Sequence, residues 1–153
     1  MIYIGADHRG WDVKGHISKW LAGREFEFED MGAYEYDKND DYVDFAVAVA
    51  QKVAEAPGKN RGIVICGGGV GVSIAANKVP GIRCGLGFAS DQVHAARKAD
   101  NINMLAIAAD NTDENEAVDL AAKFLETDFV ESENYLRRLE KIARYERETA
   151  KHK

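Results

Sequence analysis

Five short apolar runs alternate with helical patterns along this chain, and this alternation constrains the fold more than any other feature. The strand-like runs are MIYIGA (1–6), EFEFED (25–30), GIVIC (62–66), residues 82–86 and MLAIAA (104–109). Strands that alternate with helices form a parallel sheet covered by helices on both faces. GIVIC is apolar throughout, which is typical of a central strand. The sequence therefore predicts a single three-layer α/β domain over residues 1–153.

Helical periodicity fills the segments between the strands, and a longer helix follows the last strand. The first two helices are indicated by apolar residues at helical spacing, namely Val13, Ile17, Trp20 and Leu21, then Val43, Phe45, Ala46, Val49, Ala50 and Val53. Further helices are predicted over residues 73–79, 91–100, 113–126 and 132–150. Ser90 and Thr112 are positioned to cap two of them.

The last helix has an apolar stripe of its own. Its members are Tyr135, Leu136, Leu139, Ile142 and Ala143. Because this helix follows a complete five-strand unit, we expect it to pack partly on a neighbouring subunit.

A formal net charge of −6 restricts the partners of this protein. A nucleic-acid-binding protein would carry a basic stripe, so no nucleic-acid partner is expected, although a local field can still hold an anionic substrate. The start MIYIGADHRG lacks the pattern of a signal peptide, and no apolar run approaches the ~20 residues of a membrane span. Cys66 and Cys84 are expected to be reduced, buried thiols. We therefore expect a cytoplasmic protein with no membrane partner.

The stretch CGGGVG (66–71) joins the third strand to the predicted short helix. Ligands of parallel sheets bind beyond the carboxyl ends of the strands. Two strand ends carry candidate groups: Asp7, His8 and Arg9 follow the first strand, and Cys66 with its glycines follows the third. The spacing of the glycines does not fit a dinucleotide fingerprint, and no Gly-Lys-Ser/Thr ends the loop. Neither NAD nor a nucleoside triphosphate is therefore indicated.

A cysteine beside four glycines allows a chemical role as well as a structural one. Glycine amides can approach a ligand closely, and the start of the following helix adds a positive field, so the loop is a candidate anion site. The same field favours a thiolate, which would make Cys66 a nucleophile or a proton-transfer base. The structural alternative is a buried cysteine in a tight turn, and four glycines within five residues favour function.

No metal site is predicted. The four histidines, His8, His16, His94 and His152, form no ligand pair at helical spacing with a carboxylate. His16 and His94 are expected to be polar surface residues.

Three segments of the chain carry a family resemblance: IGADHRGW at the start, DDYVDFA before the second helix, and GIVICGGGVGVSIAANKVPGIRC in the middle. They resemble ribose-5-phosphate isomerase B and the related galactose-6-phosphate isomerase subunits, and the resemblance covers nearly the whole chain. It implies a Rossmann-like α/β/α sandwich with a five-stranded parallel sheet, and no metal or nucleotide cofactor. It also implies dimers, often tetramers, whose active site is shared between two subunits. The implied reaction interconverts aldose and ketose phosphates through an enediolate, moving a proton between carbons 1 and 2.

The resemblance also implies roles for residues at both strand ends. Cys66 would be the base, because the glutamate that is the base in another branch falls on Val72. Asp7 and His8 match a pair that contacts the sugar and phosphate ends of the substrate, and Tyr42 matches a tyrosine that lines the site. Backbone amides would come from Gly67, Gly69, Val70 and Gly71. The structural alternatives are that Asp7 caps the following helix and that Tyr42 simply packs.

Two departures from the family pattern concern hydroxyl and acid–base groups. Gly68 belongs to the substrate-binding loop but stands where a threonine is common, so a hydroxyl donor is lost. The family's ring-opening histidine and the asparagine after it fall on Ala99 and Asp100. We expect Asp100 to be the acid–base group, since its position faces the site in the family. His94 lies about 140° away from Ala99 around the same helix and therefore faces elsewhere.

Two further departures concern phosphate. Arginines of the family fall on Asp110 and Asn134, although Arg138 matches another arginine. Arginine forks hold phosphate strongly, and Asp110 would repel a dianion if it points inward, whereas Arg9 could compensate. These positions belong to the half-site that the partner subunit contributes in the family, while the half around Cys66 is retained apart from its one changed loop position.

The sequence thus predicts an aldose–ketose isomerase of the ribose 5-phosphate/ribulose 5-phosphate type, acting as a homodimer or homotetramer. One alternative is a subunit of a hetero-oligomeric galactose-6-phosphate-type isomerase, with a paralogous subunit as partner. Another is a homo-oligomer whose substrate differs and which binds phosphate more weakly or acts on a sugar without phosphate. Others are a catalytically silent subunit that binds sugar phosphate, and a redox or acyl-transfer enzyme with Cys66 as nucleophile.

Overall fold

The computed structural model describes residues 1–152, and in this range it contains five β-strands and six α-helices. The strands are β1 (Ile2–Ala6), β2 (Phe28–Asp30), β3 (Arg61–Cys66), β4 (Cys84–Gly87) and β5 (Met104–Ala108). The helices are α1 (Trp11–Gly23), α2 (Tyr42–Ala54), α3 (Val70–Ala76), α4 (Ser90–Asp100), α5 (Glu114–Glu126) and α6 (Glu133–Ala150). A short 3-10 turn, His8–Gly10, precedes α1.

All five strands are parallel, and their order is β2-β1-β3-β5-β4. The predicted five-stranded parallel sheet is therefore confirmed. Strand β2 lies on one side of β1, and the chain then crosses to the opposite side of β1 to form β3. This reversal opens a crevice at the carboxyl ends of β1 and β3, where ligands of such sheets bind.

Side chains that alternate along each strand divide the core between the two faces of the sheet. On one face, Ile63 and Ile65 pack with side chains of α1, α4 and α5, including Ile17 and Phe124. On the other face, Val64 packs with side chains of α2 and α3. The domain therefore has the predicted three layers, and β3 is buried on both faces as its apolar sequence indicates.

Two element starts differ from the sequence prediction because of left-handed backbone. Helix α3 begins at Val70 rather than at residue 73, because Gly69 at φ 70° turns the loop directly into the helix. Strand β2 begins at Phe28 rather than at residue 25, because Glu25 has φ 59° and the Phe26 amide still donates to the Leu21 carbonyl at the end of α1.

Hydrogen bonds at other element ends shift the remaining boundaries. Asp113, not Thr112, caps α5, and it forms a capping box with Glu116. Ser90 is the first residue of α4 rather than its cap. Strand β4 covers Cys84–Gly87 rather than residues 82–86.

Helix α6 lies on the surface, and none of its residues is buried. Its second half contacts the chain at the turn before β4, where the Gly81 amide donates to Glu146 at 3.0 Å. Three large apolar side chains remain exposed: Leu136, Ile142 and Tyr145. Two of these belong to the predicted apolar stripe, so this stripe is only partly covered within one chain. None of the helices formed by residues 1–152 is long and apolar enough to span a membrane.

Candidate active site

The two strand ends singled out in the sequence lie next to each other. Ala6 at the end of β1 pairs with Ile65 of β3, so the residues that follow the two strands leave the sheet side by side. The Asp7 amide also faces the Ile65 carbonyl, at 3.4 Å. The 3-10 turn His8–Gly10 and the loop after Cys66 therefore form adjoining walls of the crevice.

Cys66 is the last residue of β3, and its backbone is fixed in the sheet. It pairs with Ala108, and its carbonyl accepts the Ala109 amide at 2.9 Å. The thiol is free and buried, with 5% of the residue exposed. The sheet therefore holds the sulfur in one place, at the start of the glycine loop.

Cys84 differs from Cys66 in position and environment. It begins β4 and pairs with Met104, so it lies at the opposite, amino edge of the sheet. It is also free, but it is less buried than the sequence indicates. Burial nevertheless raises the pKa of the Cys84 thiol to about 12, so this thiol stays protonated near neutral pH.

The glycine loop presents backbone amides to the crevice. Within residues 1–152, the amides of Gly67, Gly68, Gly69 and Val70 donate to no protein acceptor. Unpaired amides at the start of a helix attract negative charge. The loop therefore has the donors that the sequence predicts for an anion site beside Cys66.

Asp7 is buried and organises the 3-10 turn. Its Oδ1 accepts the amides of Arg9 at 3.0 Å and Gly10 at 3.1 Å. The capping role that the sequence leaves open for Asp7 is thus present. Asp7 therefore fixes the backbone of the turn that carries His8 and Arg9.

Tyr42, the first residue of α2, packs against the glycine loop. A methyl group on Gly71 would lie 2.6 Å from the Tyr42 ring, so the ring rests directly on the first turn of α3. The packing role considered for Tyr42 is therefore present, and its role in lining the site stays a prediction.

Arg9 and Asp110 contact each other across the top of β3. Their side chains form an ion pair, and the Asp110 amide donates to the Gly67 carbonyl at 3.0 Å. A methyl group on Gly67 would overlap Cζ of Arg9, so the guanidinium covers this glycine. The charge of Asp110 is thus directed at Arg9, the residue expected to compensate for the lost arginines.

Asp40 contributes to the site although the sequence analysis did not single it out. Its Oδ1 lies 2.7 Å from Nδ1 of His8 and accepts the His8 amide at 3.0 Å. Asp40 belongs to the loop 31–41 between β2 and α2, whose polar composition predicts only a solvated connection. Its place in the segment DDYVDFA, which carries the family resemblance, was the signal that pointed to it.

Asp7, His8 and Asp40 form the group of possible metal ligands that residues 1–152 bring together, with ligand atoms within 4.8 Å of one another. An Asp7 oxygen already accepts two amides, and Nδ1 of His8 is engaged by Asp40. These contacts leave few atoms of the three side chains free to bind a metal ion. The absence of a metal from the reaction stays a prediction.

Two predicted site residues lie elsewhere in the chain. Asp100 ends α4 shortly before β5 begins, which places it at the amino edge of the sheet, beside a groove of about 610 Å³ that Arg83 and Tyr145 also line. Arg138 is exposed on α6. Asp100 thus lies at the edge of the sheet opposite Cys66, and Arg138 lies on the surface of α6. Asn134 is engaged locally, accepting a hydrogen bond from Arg137 at 2.8 Å.

Comparison with known proteins assigns the chain and its fold to one family. The family model for ribose/galactose isomerases matches residues 2–142. A protein of Mycoplasma genitalium named as a probable ribose-5-phosphate isomerase B is 41% identical over 148 residues, which are 97% of each chain. Ribose-5-phosphate isomerase B of Mycobacterium tuberculosis is 37% identical over 146 residues, covering 95% of this chain and 90% of that protein.

A solved structure agrees with the sequence relatives. The crystal structure of ribose-5-phosphate isomerase B from Mycoplasma genitalium, with bound ribulose-5-phosphate, superposes with a TM-score of 0.93 at 41% identity. The superposition covers 96% of both chains. The likeness therefore extends over the whole fold.

Proposed function

The chain belongs to the ribose/galactose isomerase family, and on this basis we propose that it interconverts ribose 5-phosphate and ribulose 5-phosphate with Cys66 as the base. One observation supports this reaction most directly: a fixed thiol at the end of β3 adjoins four backbone amides that have no protein acceptor. A base beside a set of oxyanion donors is what an enediolate reaction requires.

The reaction begins from the open-chain aldose, after the proton of the carbon 1 hydroxyl has moved to the ring oxygen. The Cys66 thiolate removes the proton from carbon 2, and the electron pair moves through the carbon 1–carbon 2 bond onto the carbonyl oxygen. The same thiol then returns its proton to carbon 1, while the hydroxyl proton of carbon 2 passes to the oxyanion on carbon 1 and the carbon 2 oxygen becomes the ketone. Each step conserves charge and protons without an added cofactor.

The loop amides stabilise the negative charge that develops on oxygen in this reaction. The amides of Gly67, Gly68, Gly69 and Val70, which have no protein acceptor among the described residues, would supply the donors together with the amide of Gly71. The loss of one such donor typically costs on the order of 3 kcal/mol of transition-state stabilisation. Because Gly69 and the sheet hold the loop, these amides need little rearrangement when the charge appears.

The other end of the substrate would lie against the 3-10 turn. Asp7 holds the turn, His8 and Arg9 meet the sugar and the phosphate, and Tyr42 borders the crevice. Arg9 is already engaged by Asp110, which limits its contribution to phosphate binding.

The proposed active enzyme is a homo-oligomer, a dimer or tetramer, in the cytoplasm. Asp100 lies at the opposite edge of the sheet from Cys66, so it could act only in the site of a neighbouring subunit, and we assign the exposed Arg138 to that site as well. The exposed Leu136, Ile142 and Tyr145 of α6 give that neighbour an apolar surface to pack on. In this arrangement Asp100 serves as the acid–base group and Arg138 binds phosphate.

A second candidate function is favoured by Asp110 and Asn134, which stand in place of two arginines. The chain would then be one subunit of a hetero-oligomeric galactose-6-phosphate-type isomerase, or a subunit that binds sugar phosphate without turnover. In both cases the missing groups would come from a paralogous subunit.

The test is to incubate the purified chain with ribose 5-phosphate in deuterated water. The proposed function predicts deuterium at carbon 1 of the ketose and at carbon 2 of the recovered aldose. A thermal shift without exchange identifies a silent binding subunit, and activity that appears only after mixing with a paralogue identifies a hetero-oligomer. A covalent adduct on Cys66 by mass spectrometry would instead indicate nucleophilic chemistry.

A further inference from the structure

We propose that Asp40 is a positioning residue, which holds the imidazole of His8 so that Nε2 faces the sugar phosphate. The inference rests on the proposed function, since it assigns a role within the same site. It concerns a residue in the loop 31–41, whose composition alone suggests no more than a solvated connection.

The contact between the two residues fixes the ring at two points. Oδ1 of Asp40 lies 2.7 Å from Nδ1 of His8 and also accepts the His8 amide at 3.0 Å. One carboxylate oxygen thus links the backbone and the ring of the same residue, which leaves the side chain little rotational freedom. The Asp40 side chain is 10% exposed and the His8 side chain 23%, so water competes weakly for these bonds.

The side chain of Tyr36 restricts the orientation of the His8 ring from another side. Tyr36 contacts His8 edge to face, with ring centroids 6.2 Å apart, and contacts Trp11 in the same way at 6.4 Å. Tyr36 itself remains 61% exposed, so this placement does not serve to bury it. The loop therefore holds His8 between a carboxylate and an aromatic edge.

The loop that carries Asp40 is anchored at both ends. At its start, Lys14 binds Asp30 at 2.9 and 3.0 Å, and the Ala33 amide donates to the Ala6 carbonyl at 2.8 Å. At its end, α2 begins with Tyr42, whose ring rests on the glycine loop. Asp40 is thus held relative to both walls of the crevice.

The second carboxylate oxygen argues against a purely structural role. Oδ2 of Asp40 is buried and has no hydrogen-bond partner among the described residues. A buried polar atom without a partner costs folding free energy. The unpaired oxygen offsets part of the stability that the two bonds of Oδ1 contribute, so orientation of the imidazole explains an aspartate at this position better than stability alone.

The contact determines which ring nitrogen meets the substrate. A carboxylate that accepts from Nδ1 keeps the proton on that nitrogen, as in other carboxylate–histidine pairs. Nε2 then remains the atom available to the ligand, and it has no partner within residues 1–152. A misoriented ring would lose this contact while the thiol and the glycine loop stay intact.

The experiment compares Asp40→Leu with Asp40→Asn, which keeps an acceptor oxygen. Asp41→Asn is the matched control, because Asp41 is an exposed neighbour whose side chain makes no capping bond. Partners that orient a metal-ligating histidine typically contribute about 10- to 100-fold, and we take the lower end of this range for a histidine that binds substrate. We expect Asp40→Leu to raise the KM for ribose 5-phosphate about tenfold with a smaller change in kcat, and Asp40→Asn to stay within about threefold of wild type.

Two readouts separate positioning from a general structural effect. Nitrogen-15 NMR should show the proton on Nδ1 of His8 in wild type and Asp40→Asn, and a loss of that preference in Asp40→Leu. In a His8→Gln background, Asp40→Leu should add less than about twofold, because a residue that acts through the ring has no effect without it. If Asp40→Leu does not fold, Asp40→Ser, whose hydroxyl is too short to reach the ring, takes its place.

Three outcomes would overturn the proposal: an unchanged tautomer and KM in Asp40→Leu, full additivity with His8→Gln, or an Asp40→Asn variant that is as impaired as Asp40→Leu although its His8 keeps the proton on Nδ1. An inactive wild-type chain would contradict the proposed function instead. In that case the tautomer of His8 in wild type and in Asp40→Leu still decides whether Asp40 positions the ring.

Discussion

Arg9 and Asp110 form an ion pair across Gly67, and this pair joins the carboxyl ends of β1 and β5 over the end of β3. The two residues are 101 positions apart in the sequence, yet each neutralises the other at the mouth of the crevice. Arg9 is therefore less available to phosphate than an unpaired arginine, and Asp110 repels an anion less than an unpaired aspartate.

Replacement of Asp110 by a residue without a carboxylate should leave Arg9 free to bind the substrate. We expect Asp110→Ala to lower the KM for ribose 5-phosphate several-fold, and Asp110→Arg to raise the ratio of kcat/KM for the sugar phosphate to that for free ribose. Because the pair is exposed, the free energy of unfolding should change by less than about 1 kcal/mol. Asp119→Ala, at an exposed position of α5, controls for the change in net charge. If the ratio of kcat/KM for ribose 5-phosphate to that for free ribose is the same in wild type, Asp110→Ala and Asp110→Arg, then Asp110 does not limit phosphate binding by Arg9.

The two cysteines should behave differently when each is replaced by serine. Cys66→Ser should keep the fold and the affinity but lower kcat by about 10²-fold or more, because a hydroxyl is a poor base near neutral pH. Cys84→Ser, at the amino edge of the sheet, should leave kcat unchanged and cost at most some stability. Steady-state kinetics and deuterium exchange measure both effects, and wild-type activity in Cys66→Ser would exclude this thiol as the base.

Cys84 should also make the stability of the protein sensitive to alkaline pH. Burial raises the pKa of its thiol from 9.0 to about 12, so the folded chain holds this proton more tightly than the unfolded chain. The stabilisation is complete below about pH 9 and decreases as the pH rises toward 12, by at most about 1.4 kcal/mol per pH unit. Urea unfolding of wild type and Cys84→Ser at several pH values measures the difference. If the free energy of unfolding depends on pH in the same way in wild type and in Cys84→Ser, the Cys84 thiol is not buried as described.

The glycines of the loop should differ in their tolerance of a methyl group. Gly69 has φ 70°, and a methyl group there would lie 2.6 Å from a Leu86 side-chain carbon and 3.0 Å from the Ala108 amide nitrogen. We expect Gly69→Ala to destabilise the fold by about 2 kcal/mol or more. Gly68 has no atom within 4 Å of the corresponding position, so Gly68→Ala should change stability by less than about 0.5 kcal/mol. Thermal denaturation checks both, and equal Tm values for the two variants would contradict the loop geometry.

A shared active site predicts complementation between two inactive variants. Cys66→Ser and Arg138→Ala should each be impaired, whereas a re-equilibrated mixture should recover about a quarter of wild-type activity. Hybrid dimers form half of such a mixture, and each has one site with both groups intact. Light scattering should show at least a dimer at micromolar concentration. No recovery after proven subunit exchange, or an active monomer, would rule out the shared site.

Local pattern was sufficient to predict most of the fold. Apolar runs and helical spacing depend on neighbouring residues only, so five parallel strands, the central place of GIVIC and the loop beside Cys66 could be read from the sequence. Element ends were less accurate, because they depend on single backbone conformations such as the left-handed Glu25 and Gly69. Periodicity carries no information on these angles.

The sequence by itself determined which chemical groups end each strand, whereas the tertiary structure decided which of them meet. Strand order places β1, β3 and β5 side by side, and this order alone brings Arg9 to Asp110. The return of the loop 31–41 over the 3-10 turn brings Asp40 to His8, 32 positions away. The direction of α4 carries Asp100 to the opposite edge of the sheet. Contacts between distant residues depend on how packed layers are arranged in space, and no local spacing in the chain encodes that arrangement.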